Sequence, residues 1–427
     1  MQTFCIGDGI KLNILPSDKF KTNFLSVNFT TPLTLSDASN TALLSRVLLR
    51  ACKKYPSTAL LCSRLEYLYD MSVSMRSYKR GELLVTSYES EFLKDDYVPS
   101  QTESLLSEAV EFFRETVYNP LASDGCFDAD ITAQEKTDLI NTINSLINNK
   151  NAYAKQKCTS LMCENEKYAV YESGEVETVS GITPKALYEY YREFVKNAVI
   201  EIYFVGECDA AALKMLFEKV FEKTLRTPVE LPETFVTDTV HEPVVEKEES
   251  MDVSQGKLAM GFRTGVTLKA NNSAAFALFC EIFGGSPVSK LFLNVREKLS
   301  LCYYCRSMPD SFKGVMFILS GIENTNKDKA VKAILKELDD MKNGVFSDED
   351  VENAKLSMTN AYKELEDNCS GLVAWYLSRR LFGDNSTLTE AAERIKHVTK
   401  KEIAAAAKNA RLDTVYFLKG TDAEAEE

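Results

Sequence analysis

Gly284-Gly285-Ser286-Pro287-Val288-Ser289-Lys290-Leu291-Phe292, continued by Val295-Arg296-Glu297-Lys298 and by Leu301-Cys302-Tyr303-Tyr304, is the stretch on which the reading of this chain turns. Leu291, Phe292, Val295 and Leu299 recur at helical spacing, so residues 289–298 read as a helix with one buried face. Gly284 and Gly285 follow an apolar helix expected over 274–283 and read as its C-cap and a tight turn. Tyr303 then opens a strand. No phosphate-cradling fingerprint follows the glycines, because no Lys-Ser/Thr opens a helix there.

Working outward, the same order of features occurs twice. Ser63-Arg64-Leu65 answers Ser289-Lys290-Leu291, and a polar turn and strand follow each. Phe127-Asp128-Ala129-Asp130 answers Phe346-Ser347-Asp348-Glu349, each ahead of a long helix. Tyr203-Phe204-Val205-Gly206 answers Tyr416-Phe417-Leu418-Lys419 as a closing strand. The expected fold class is α+β: two duplicated halves, each a mixed, mostly antiparallel sheet with helices packed on one face. The halves span 1–230 and 250–420. A Pro- and Glu-rich linker over 231–249 separates them, and an acidic tail, 421–427, reads as disordered.

Within the first half, Ile10, Leu12 and Ile14 alternate, as do Leu25, Val27 and Phe29, which predicts a strand pair across the Pro16-Ser17-Asp18 turn. A helix is expected over 37–52, capped by Asp37 or Ser39, with Leu43, Leu44, Val47 and Leu48 as its buried stripe. Further helices are expected over 59–69, 101–117, 132–148 and 185–196, and strands over 73–78, 83–89 and 199–205.

The 427 residues are 45% apolar and 26% charged, ordinary for a globular protein of two or three domains. No uncharged apolar run reaches the roughly 18 residues of a membrane helix. The net charge of −13 argues against a nucleic-acid partner, which needs a basic footprint. The opening MQTFCIGDGIKLNIL reads as a strand, not a signal peptide. With eleven cysteines at no framework spacing, it points to reduced thiols and a cytoplasmic location. Cys302-Tyr303-Tyr304-Cys305 is a lone C-x-x-C at the start of a strand. A regular strand sets residues three apart on opposite faces, so structural thiols are the expectation there.

The stretch from Gly284 to Tyr304 resembles the C-terminal signature of the pitrilysin/insulysin-type zinc peptidases, an inverzincin family that includes mitochondrial processing peptidase. The resemblance extends over nearly the whole chain. It places the family's H-x-x-E-H helix on Ala42-Leu43-Leu44-Ser45-Arg46-Val47, so the ligand positions fall on Leu43 and Val47 and the general base on Arg46. The third ligand position falls on Thr142, seven residues after Glu135. Leu and Val offer no donor, and a guanidinium in place of the base repels a cation. The only histidines, His241 and His397, form no helical ligand pair. No metal and no catalytic residue is therefore expected in this chain.

The resemblance further implies that Arg296 and Tyr303 are the family's arginine–tyrosine pair, which meets the substrate carbonyl. From spacing alone, Arg296 reads as part of a solvated Arg-Glu-Lys run and Tyr303 as an ordinary strand residue. Three functions stay open. One is a non-catalytic, substrate-positioning subunit of a heteromeric zinc peptidase that processes peptides, with zinc and an intact H-x-x-E-H in a homologous partner. The second is a stand-alone pseudo-peptidase that binds peptides or a partner, possible as a homodimer. The third is a thiol-based redox protein.

Overall fold

The computed structural model describes residues 1–99 and 103–420. The chain forms two compact units. The first comprises Met1–Asn144, Val170–Glu233 and Asp367–Leu377; the second comprises Ser145–Ala169, Thr234–Glu366 and the chain from Ser378 onward. The first unit is built on strands β1 (Gln2–Gly7), β2 (Ile10–Pro16), β3 (Thr22–Pro32), β4 (Ser72–Arg80), β5 (Leu83–Leu93) and β6 (Val199–Gly206), in the order β1-β2-β6-β3-β5-β4. The second is built on β7 (Val245–Met251), β8 (Gly256–Arg263), β9 (Cys302–Asp310), β10 (Val315–Ile322) and β11 (Arg411–Gly420), in the order β7-β11-β8-β10-β9.

The two sheets share a topology. In each, a parallel pair comes first (β2 with β6, β7 with β11), followed by three antiparallel pairings in the same sequence. The first sheet has one extra edge strand, β1. Duplication with helices between strands is what the repeated order of motifs predicts.

Several local expectations are corrected. β2 and β3 both form, but they do not pair with each other. β6 lies between them, parallel to β2 and antiparallel to β3. From Ile200 to Gly206 every residue of β6 is buried, so it belongs at the centre of a sheet with a neighbour on each side. The helix expected over 37–52 runs Leu35–Leu48 and is capped by Thr34, whose Oγ1 accepts the Asp37 N–H at 3.0 Å. Asp37, expected as the cap, sits in the first turn, where a carboxylate favours the helix dipole. The helix expected over 101–117 runs Leu105–Phe113 and widens into a π turn, Arg114–Tyr118. Its expected start at Gln101 lies outside the described residues, as does the acidic tail.

The 231–249 stretch is not all linker. From Val245 it becomes β7, an edge strand whose Glu246 and Glu248 face solvent and pair with Lys327. Ahead of it the chain is pinned to the second unit: Lys313 donates to the Phe235 carbonyl at 2.5 Å, and His241 Nδ1 lies 3.0 Å from Asp413 Oδ1. Nor do the units divide at a single linker. The helix Lys150–Met162 packs on the second sheet, burying Ala154, Cys158 and Met162 against Ala259, Phe317, Tyr416 and Leu418. The opposite face of that sheet, with Leu258, Met260 and Phe262, carries the main helical core. The second sheet is thus covered on both faces, where helices on one face were expected.

A buried ion cluster fixes this arrangement. Arg263 donates to the Met162 carbonyl and to Glu166, each at 2.5 Å, and Lys313 pairs with the same carboxylate. Burial raises the Glu166 pKa, but its bonds to Arg263 and Lys313 outweigh this and hold the carboxyl below its ordinary value. A depressed carboxylate stabilises the fold above its unfolded pKa, and that contribution fades as the pH falls below about 4. Glu166→Gln should cost about 3 kcal/mol near neutral pH, because it removes the carboxylate that two buried cations share. The gap from wild type should shrink as the pH drops, and denaturant unfolding at a series of pH values checks it. A constant gap would remove Glu166 from the account.

Candidate functional site

The segments to which the resemblance assigns the metal site carry a closed ion cluster in the first unit. Leu43 and Val47, one turn apart on the helix Leu35–Leu48, are buried in the hydrophobic core. Arg46 lies beside that stripe and leaves the core. Its Nη2 donates to Thr142 Oγ1 at 3.0 Å, and its Nη1 is 4.0 Å from Glu135. Arg50, one turn on, places Nε 3.0 Å from the same carboxylate, which is nearly fully buried. Glu135 and Thr142 come from the helix Ala129–Ser145. The four positions that the resemblance singled out, with Glu135, therefore lie on these two helices, and Arg46, Glu135 and Thr142 are in direct contact. Arg50 was missed. Its i+4 spacing from Arg46 was the available signal.

This donor set does not fit zinc. Two side chains are apolar, one is a hydroxyl, and the one carboxylate is already matched by two guanidinium groups, so a dication would meet net positive charge. Among the described residues, no group of three or more His, Cys, Asp or Glu side chains is placed to hold a metal ion. His241 lies against Asp413, and His397 is exposed on the helix Leu388–His397.

Arg296 and Tyr303 lie in the second unit on a hairpin of helix and strand. The helix Leu291–Lys298 is wound as a π-helix, with the Leu299 N–H bonded to the Asn294 carbonyl at 3.1 Å, five residues back. Leu291 and Val295 are buried as expected, but Leu299 is exposed, because the wide turn carries it off the apolar face. Arg296 is not a freely solvated side chain. Its guanidinium lies over the Phe292 ring, 4.4 Å from the centroid, and 3.0 Å from Glu297. Ser300 then takes a left-handed φ of 50°, and the Leu301 N–H bonds back to the Val295 carbonyl at 3.2 Å. Non-glycine residues adopt that conformation at a cost, and it concentrates at functional sites.

The strand that follows carries a β-bulge at Tyr303. Cys302 pairs with Ile322, Tyr304 pairs with Gly321, and Tyr303 has no partner. Gly321 permits this. A Cβ there would come within 2.5 Å of the Tyr304 ring. The bulge turns Tyr303 out of the ladder, leaving it 61% exposed. Arg296 and Tyr303 line one open hollow of about 380 Å³, together with Glu297, Cys302, Glu323 and Asn326. Glu323 and Asn326 come from the loop after β10, and nothing local in the sequence marks them.

Two further expectations change. Gly284 is not a left-handed cap; its φ is −156°. It is required for close approach, because a Cβ would lie 2.6 Å from the Ser307 backbone nitrogen of β9. Cys302 and Cys305 were expected on opposite faces, yet both point into the core of the second unit. The extra residue at the bulge resets the alternation.

The ion pairs at Glu135 give a direct test. Glu135→Gln should lower stability by about 1–2 kcal/mol, less than a fully buried pair because Arg46 and Arg50 are partly exposed. Denaturant unfolding reads this, and a change within experimental error would show the cluster to be screened by solvent.

A family model described as the peptidase M16 inactive domain matches residues 181–358. The chain is similar to the probable inactive metalloprotease YmfF of Bacillus subtilis (strain 168), 35% identical over 414 residues that cover 97% of this chain and 96% of that protein. The crystal structure of a conserved protein from Enterococcus faecalis V583 matches with a TM-score of 0.90 at 28% identity, over 98% of both chains. A peptidase M16 inactive domain from Pseudomonas fluorescens shares the fold, with a TM-score of 0.80 at 17% identity over 98% of both chains. The chain belongs to the pitrilysin-type M16 peptidase family as a non-catalytic member.

Proposed function

We propose that this protein is the substrate-positioning subunit of a heteromeric peptidase that processes peptides, the metal being supplied by a homologous partner. The observation that carries this reading is the bulge at Tyr303, which turns the phenol into the same hollow as Arg296. Guanidinium N–H groups and a phenol O–H are donors only, or donors first, and both suit a peptide carbonyl oxygen. Donors set in place before the reaction favour the oxygen most when charge develops on it. β9 is the edge strand of its sheet, so a peptide can add there as a further strand. Main-chain hydrogen bonds would then hold the peptide while the hollow reads one side chain.

The structural cost of keeping this hairpin also supports a role. A left-handed Ser300, a π-helical turn and an unpaired strand residue are concentrated within a dozen positions around the hollow. A segment with only a packing role has no need of all three.

Mixed with a homologue bearing an intact H-x-x-E-H, the protein should confer peptide hydrolysis that neither chain shows alone. Arg296→Ala and Tyr303→Phe should each lower kcat/KM roughly ten- to a thousandfold, the range for losing one preformed oxyanion donor. Folding and assembly should be little affected, since both side chains are at the surface. If the double variant of the assembled pair turns over like wild type, the pair is structural and a peptide-binding pseudo-peptidase becomes the better reading.

A further inference from the structure

The C-x-x-C in β9 has a geometry that a regular strand forbids. Cys302 lies opposite Ile322 and Cys305 opposite Ser320, so three residues of β9 advance over two of β10. Both thiols are buried on the same face, at 9% and 4% exposure, in the same apolar cluster. Two residues of strand rise about 6.6 Å, near the upper end of the roughly 4.4–6.8 Å between Cα atoms that a disulfide spans. Cys302 also forms part of the wall of the hollow that holds Arg296 and Tyr303, whereas Cys305 sits behind it.

The two sulfurs are not equivalent. The neighbouring Cys305 thiol holds the Cys302 thiol below its ordinary pKa; burial opposes this, and the Ser320 hydroxyl and the Arg296 charge assist it. The Cys302 sulfur, with burial, pushes Cys305 well up. Cys302 is thus the thiolate-forming member with access to solvent, and Cys305 the protonated member behind it.

We propose that Cys302 and Cys305 form a redox-active dithiol opening on the Arg296–Tyr303 hollow, with hydroperoxides as its oxidant. The Cys302 thiolate attacks one peroxide oxygen, and the O–O bond breaks. The departing oxygen takes a proton, leaving as water when the oxidant is hydrogen peroxide, and Cys302 becomes a sulfenic acid. The Cys305 sulfur then attacks the Cys302 sulfur. The S–O bond breaks, hydroxide leaves with the Cys305 proton as a second water, and the S–S bond forms. Two thiols lose two electrons in all, and the peroxide gains them. Tyr303 lies between the two cysteines, so closing the bridge tightens the bulge and moves its phenol. The chemistry itself does not depend on the peptide-positioning role.

The test treats the reduced, full-length protein with increasing hydrogen peroxide and maps its cysteines by peptide mass spectrometry. The Cys302–Cys305 disulfide should appear while the deeply buried Cys158 and Cys280 remain thiols. In Cys305→Ser the reaction should stop at a sulfenic acid on Cys302 that dimedone labels. Arg296→Ala should slow oxidation of Cys302 by about tenfold, as expected on removing a neighbouring cation from a thiolate. The wild-type arm stands whether or not a variant folds. If Cys302 and Cys305 stay reduced while other cysteines oxidise, the proposal is overturned. A dimedone-labelled Cys302 with no disulfide in wild type overturns it too, and an unchanged rate in Arg296→Ala removes Arg296 from it.

Discussion

The hold of Arg46 and Arg50 on Glu135 is the constraint from which the rest follows. A carboxylate buried between two helices is tolerable only with matched charge, and here both partners are guanidinium groups, Arg46 on the helix Leu35–Leu48 and Arg50 in the turn that follows it. Once that pairing is made, the space between the helices Leu35–Leu48 and Ala129–Ser145 is closed by charge as well as by shape. Leu43 and Val47 seal the other side of the same helix into the core. The positions that the resemblance assigns to a metal site form a self-consistent structural contact.

In the second unit, one irregularity shapes the hollow that holds Arg296 and Tyr303. The duplicated sheets make the comparison internal. β4, the counterpart of β9, pairs with β5 without interruption from Ser72 to Arg80. β9 pairs with β10 through a bulge at Tyr303. One extra residue thus separates two otherwise equivalent edge strands. It exposes a tyrosine, brings Arg296 into the same hollow, and sets two thiols on one face. Gly321 and Gly284 are the small residues that make room for it, against the Tyr304 ring and the Ser307 backbone respectively.

The fold was legible in the sequence where the signal is periodic. Alternating Ile10, Leu12 and Ile14, the apolar run through Phe204, and the helical stripe at Leu43 and Val47 each produced the expected element. What the sequence hid is what periodicity does not encode. The insertion of β6 between β2 and β3 is a pairing between residues nearly two hundred positions apart. The helix Lys150–Met162 packs in the second unit because its buried Ala154, Cys158 and Met162 meet the apolar second face of that sheet, a match no local window contains. At the candidate site, Arg46, Glu135 and Thr142 were singled out through resemblance, whereas Arg50 was missed although it lies four residues beyond Arg46. The bulge was not, since one unpaired residue leaves no mark on composition. Reading β9 as regular is what sent Cys302 and Cys305 to opposite faces.

The central claim is that the helix position reserved for a metal in this family has become an ion pair in this chain. Calorimetric titration of the metal-free protein with zinc at neutral pH tests it most directly. The account predicts no saturable one-to-one binding. One zinc held tightly per chain, and removed by a chelator, would contradict it.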